Sequence, residues 1–134
     1  MFKSTGKIVY SPDSHLGSSK NWAILKCDDN IGAYYRSLYQ QQYKALNGGY
    51  KLRIIKPIFG AHISYIRNSD TPNLKYWGKN EGKIIEFKYQ PGVLDNGKYF
   101  WLKIECPFLS ELRMQLGLSP QPLYAFHLTI GIAQ

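Results

Sequence analysis

Two of the three histidines in this chain stand in the same local company. Ala61-His62-Ile63-Ser64-Tyr65 and Phe126-His127-Leu128-Thr129-Ile130 both read His, apolar, hydroxyl, apolar. Strand side chains alternate faces, so on a β-strand His62 shares a face with Ser64, and His127 with Thr129, while the apolar residues turn the other way. Each motif then offers an imidazole and a hydroxyl roughly 7 Å apart. Imidazole, with an ordinary pKa of about 6.5, gives or takes a proton near neutrality. A pair of them suits a reaction that needs one general base and one general acid. The hydroxyls can hydrogen-bond the oxygens of an anion whose charge builds as it reacts.

The competing use of histidine is metal ligation. Two histidines without clustered Cys, Asp or Glu at ligand spacing make a poor zinc or iron site, so no metal is expected. His15, in the loop Ser14-His15-Leu16, has no following hydroxyl and is assigned no role. Cys27 and Cys106 are too far apart for a CxxC motif and too few for a disulfide framework, which makes them buried free thiols.

Both motifs fall on segments that read as strands. The expected order begins with strands at Lys7–Tyr10 and Trp22–Cys27 and a helix starting near Asp28 or Asp29. Its apolar face is Ile31, Tyr34, Tyr35, Leu38 and Tyr39, and Asn47-Gly48-Gly49 ends it. Strand-like segments follow at Lys51–Lys56 and Phe59–Arg67, separated by Pro57, and Thr71–Gly82 is turn-rich with a short helix around Leu74–Trp77. Lys83–Tyr89 and Lys98–Glu105 form a hairpin through Asp95-Asn96-Gly97. A second helix opens at Pro107 and stops at Gly117, and Tyr124–Ala133 is the last strand. Strands, helix, strand, then hairpin, helix, strand: the reading is an α+β chain of two similar halves, each closed by one His motif.

The 134 residues suffice for one domain, 1–134, and the hydrophobic content of 44% marks a folded chain. The formal charge of +8 favours anionic partners such as nucleotides or RNA. No apolar run approaches a membrane span or a signal peptide, so the expectation is a soluble, cytoplasmic protein with no membrane association and no obligate protein partner.

The duplicated motif, His62-Ile63-Ser64-Tyr65 and His127-Leu128-Thr129-Ile130, resembles the signature of the 2H phosphoesterase superfamily, and the element order is compatible over nearly the whole chain. The segments Gly60-Ala61-His62-Ile63-Ser64 and Phe126-His127-Leu128-Thr129-Ile130-Gly131 look most like bacteriophage members, some of which destroy the cyclic oligonucleotide alarm signals of bacterial immunity (anti-CBASS nucleases). The resemblance implies a two-lobed α+β fold, two antiparallel sheets flanked by helices, with pseudo-twofold symmetry around a central groove that both motifs face. It also implies metal-independent phosphodiester cleavage with no cofactor, in host cytoplasm if the chain is viral, with His62, Ser64, His127 and Thr129 as the catalytic set. One histidine would take the proton of a 2′-hydroxyl and the other would protonate the departing 5′-oxygen.

The substrate expected first is a cyclic di- or oligonucleotide. The alternatives are 2′,3′-cyclic phosphates or 2′-5′ linkages at RNA ends, or a non-catalytic nucleotide- or RNA-binding module. Arg67, three residues beyond Ser64, reads as a phosphate partner or as an ordinary exposed arginine. Tyr10, Tyr76, Trp77 and Trp101 are candidate base-stacking rings, of which Tyr10 and Trp77, beside turn-rich segments, are singled out for substrate binding.

Overall fold

A computed structural model of the protein describes residues 1–13 and 21–134. In chain order these form β1 (Phe2–Tyr10), β2 (Ala23–Cys27), α1 (Asp29–Leu46), β3 (Ile54–Ile55) and β4 (His62–Ile66). A 3-10 turn (Leu74–Tyr76) leads to β5 (Ile84–Asp95), β6 (Tyr99–Glu105), α2 (Pro107–Gln115) and β7 (His127–Ala133).

Local signals explain the elements. The Asp28 carboxylate accepts the Asn30 backbone N–H at 2.9 Å and so caps α1, while Gly48 and Gly49, both at positive φ, stop it. Of the expected apolar face, Tyr35 is buried and Ile31, Leu38 and Tyr39 pack on the core, but Tyr34 points outward. Between β5 and β6 the chain turns through Asn96 and Gly97, with Gly97 at φ +88°. Pro57 to Gly60 breaks the two expected strand segments apart, leaving β3 two residues long.

The strands pair as β4-β2-β1-β5-β6-β7, and β7 returns to β4, so six antiparallel strands close a barrel. The short β3 extends the β4 side of β7. This corrects the expected architecture: there are not two separate sheets, each flanked by helices, facing one another across a central groove. The periodicities located the strands, but pairing is non-local. The contacts β1 with β5 and β4 with β7 join the two halves edge to edge into one wall.

One belt shows how the wall is filled. Ile8, Leu25, Ile63, Leu128 and Leu102 are successive cross-strand partners, and all are fully buried. Each such side chain contributes roughly 1.5–3 kcal/mol by leaving water. The helices cover the mouths. At one, Tyr35 of α1 meets Tyr89 and Tyr39 meets Phe100. At the other, Leu109 and Leu112 of α2 are buried, and Arg113 donates to the Tyr65 carbonyl at 2.8 Å and to Asp70 at 3.1 Å.

Cys27 and Cys106 are buried and unbridged. No helix among the described residues is long and apolar enough to cross a membrane.

Candidate functional site

With Ile63 and Leu128 turned into the barrel, the alternate residues of β4 and β7 face outward. The two strands are antiparallel neighbours, with His62 opposite Thr129 and Ile63 opposite Leu128. The same register, carried one residue on, sets Ser64 against His127. The motifs, 65 positions apart in sequence, therefore interlock as a quartet on one patch of wall, each histidine beside the other motif's hydroxyl. Directly opposed side chains in such a pair start about 4.5–5.5 Å apart and diagonal ones about 7–8 Å. The two imidazoles lie on a diagonal, a separation that one phosphate group can bridge.

Each motif strand also carries an extra residue at the same place. Tyr65 faces the step between Ile24 and Ala23 of β2, and Ile130 the step between Trp101 and Phe100 of β6. Both extra residues are buried. A bulge shifts the alternation by one. Ile66 therefore turns inward, and Arg67, which strict alternation would have sent into the core, comes back to the quartet's face.

The histidines are held alike. Nδ1 of His62 donates to the Gly60 carbonyl at 2.7 Å, and Nδ1 of His127 to the Ala125 carbonyl at 2.9 Å, each two residues upstream. A carbonyl only accepts, so Nδ1 carries the proton in both rings and Nε2 is left with its lone pair. Trp22 stands edge-on to His62 and Trp101 to His127, each with ring centroids 5.9 Å apart. Burial, which disfavours the charged form, lowers the pKa of both histidines. The positive charges of Lys26 and Arg67 and the proximity of His127 press further on His62, and Arg67 on His127, while the carbonyl hydrogen bonds oppose the shift. Both shifts favour the neutral ring in the free protein.

Cations flank the quartet symmetrically. Lys26 on β2 is the cross-strand partner of His62, and Lys103 on β6 is that of His127. Trp101 is the partner of Thr129. Lys26 is tied to Asp29 at 2.9 Å; none of the ion pairs among the described residues uses Lys103 or Arg67. Arg67 lies 5.9 Å from the ring centroid of Tyr124, which is 64% exposed, and its Nε is buried with no hydrogen-bond partner among the described residues.

The sequence-derived residues thus divide. His62, Ser64, His127, Thr129 and Arg67 come together. Tyr10 does not join them: it is 8% exposed, in the core, with ring contacts to Tyr65 and to Trp77. Trp77 packs on the same core cluster. Tyr76 lies between the Lys75 and Lys79 ammonium groups. His15 lies outside the described residues. Trp101, a candidate stacking ring by sequence, borders the quartet, as do Trp22, Lys26, Lys103 and Tyr124, which the sequence does not mark as site residues through either motif.

Only knowledge of which strands lie beside β4 and β7 could have found Trp22, Lys26 and Lys103. Tyr124 did carry a signal, since Phe59 and Tyr124 each stand three residues before their histidine. Two surface recesses, one lined by Ser37, Gln40, Gln41 and Lys44 and one by Glu86, Phe87, Lys88 and Glu105, contain none of the quartet. Among the described residues no three His, Cys, Asp or Glu gather as a metal site. Protein-family models, characterised proteins and solved structures give no match to this chain, so its functional reading rests on the quartet itself.

Proposed function

We propose that the chain is a metal-independent phosphodiesterase acting on small nucleotides, with His62 and His127 as the general acid–base pair. The observation that carries this reading is the interlocked quartet, in which both imidazoles are clasped through Nδ1 and both present Nε2 on one face. Its motifs are also those that resemble the 2H phosphoesterase signature.

A phosphodiester placed over the seam of β4 and β7 lies between the two Nε2 atoms, with Ser64 and Thr129 as donors to its non-bridging oxygens and Arg67 and Lys103 countering its charge. Its negative charge raises both histidine pKa values against the effect of burial, so a substrate-bound site can hold one neutral ring and one imidazolium. In the cleavage step the 2′-oxygen attacks phosphorus as one Nε2 takes its proton. The bond from phosphorus to the 5′-oxygen breaks as the other ring gives that oxygen a proton, leaving a 2′,3′-cyclic phosphate and a 5′-hydroxyl. Trp101 and the exposed ring of Tyr124 border the site and suit base stacking. Cyclic di- and oligonucleotides, the substrates of the bacteriophage enzymes that the motifs resemble, are the first to try, and counter-defence is the role that goes with them.

The test incubates the protein in EDTA with cyclic dinucleotides, cyclic trinucleotides, 2′-5′ oligoadenylate and a 2′,3′-cyclic nucleotide, beside His62→Ala and His127→Ala. Turnover that survives EDTA and vanishes in both variants supports the assignment. Binding without turnover would make the chain a recognition module, and turnover indifferent to either substitution would remove the histidines from the chemistry.

A further inference from the structure

The two hydroxyls of the quartet are not in equal circumstances. The indole Nε1–H of Trp22 donates to Ser64 Oγ at 3.1 Å. No hydrogen bond of Thr129's hydroxyl occurs among the described residues, although Trp101 stands opposite it. Indole N–H is a donor only, whereas a serine hydroxyl has one proton and two lone pairs. With one lone pair of Oγ engaged by Trp22, the hydroxyl proton of Ser64 turns elsewhere. Among the described residues its cross-strand neighbours on the outer face are Ile24, whose side chain has no hydrogen-bonding group, and His127.

Trp22 is itself well held. Its ring stands at 82° to His62 and at 80° to Phe59, with the Phe59 centroid 5.0 Å away, and its carbonyl accepts the Ser11 backbone N–H at 2.7 Å. One side chain immediately before β2 thus touches both polar members of the first motif. It buttresses the imidazole of His62 and fixes the hydroxyl of Ser64.

We infer that Trp22 is a positioning residue whose indole N–H makes Ser64 a dedicated hydrogen-bond donor to an oxygen of the bound phosphate, while Thr129 stays a free rotor. This rests on the quartet being a phosphate site, as proposed above. The consequence is an anion anchored first on the Ser64 side and adjusted from the Thr129 side.

The experiment follows the indole N–H resonances of the three tryptophans by 1H–15N NMR and then the kinetics. Trp22→Phe, which keeps an aromatic ring and loses the donor, identifies the Trp22 peak. That peak should move in Ser64→Ala, stay near its place in Ser64→Thr, and shift when inorganic phosphate is titrated into the unmodified protein. On whichever phosphodiester is turned over, Trp22→Phe should raise KM about three- to tenfold with kcat within about twofold. In the Ser64→Ala background the same change should cost nothing further.

A Trp22 peak indifferent to both Ser64→Ala and phosphate would overturn the inference, as would additive losses in the double variant. If no phosphodiester is cleaved, the proposed activity fails, while the phosphate titration still decides whether Trp22 acts through Ser64.

Discussion

The His62 and His127 sides of the quartet share a plan and differ in how firmly it is built. Each has a carbonyl clasp two residues upstream, a lysine across the strand and a tryptophan edge. On the His62 side every part is braced. Asp29 Oδ1 accepts both the Ala61 backbone N–H and Lys26 Nζ at 2.9 Å, Cys27 N–H donates to the Ala61 carbonyl, and Trp22 locks Ser64. On the His127 side Lys103 is unpaired among the described residues, Ala125 and Tyr124 are exposed, and Thr129 lacks an indole donor. Identical local chemistry has been given one rigid and one adaptable half. Under the proposed phosphodiesterase reading, the braced half would hold the phosphate and the looser half would let the departing nucleoside move.

Replacing the histidines tests the shared plan most severely. His62→Ala and His127→Ala should each lower kcat by about 10²–10⁴-fold, as loss of a general acid or base does. A steady-state assay that finds one loss far smaller than the other would show that only one ring transfers a proton. The next contrast is between the clasps. Gly60 has φ +71°, and a Cβ there would strike the Asp29 carboxylate and the Lys26 ammonium, whereas its counterpart is already Ala125. Gly60→Ala should therefore cost at least about 1–2 kcal/mol of stability from the backbone alone and tenfold or more in kcat. Ala125→Gly should change kcat by less than about threefold, and chemical denaturation with parallel kinetics reads both.

Acid addresses the burial that the halves share. Both histidine pKa values lie below that of an unfolded histidine, so as the pH falls through about 6.5 the unfolded chain takes up protons first and the fold loses stability. The loss levels off below the folded-state values. Tm measured between pH 7.5 and 5 should fall, and the slope should shrink in the double alanine variant and in saturating phosphate. A slope unchanged by both would mean that other groups set it. The smallest effect belongs to the lysines: Lys103→Ala should raise KM about two- to threefold at low salt and hardly at all at high salt. Lys26→Ala, which also frees Asp29, should in addition reduce kcat.

How much of this was legible beforehand depends on the range of the interaction. Alternation along a single strand placed His62 with Ser64 and His127 with Thr129, because that relation is local. The same parity rule, applied from Ile8, turns Tyr10 inward, and that outweighs its nearness to a turn. Arg67 was marked by its distance from Ser64, yet strict alternation would have buried it; the bulge at Tyr65 supplies the missing step, and no residue type announces it. Trp22 bonds a serine 42 positions away, through strands brought together by barrel closure. The closed architecture itself lay in strand pairing, which composition and periodicity do not encode.

β7 pairs with β3, β4 and β6, and so completes the cylinder. The quartet lies on the seam that this last strand closes, with both hydroxyls and both imidazoles split across it. Contacts between such distant segments carry a high loop-closure cost and form late and slowly. Chemical competence should consequently lag behind collapse during refolding. Turnover would then report, more strictly than helix content or tryptophan burial, the moment at which the final strand has docked in register.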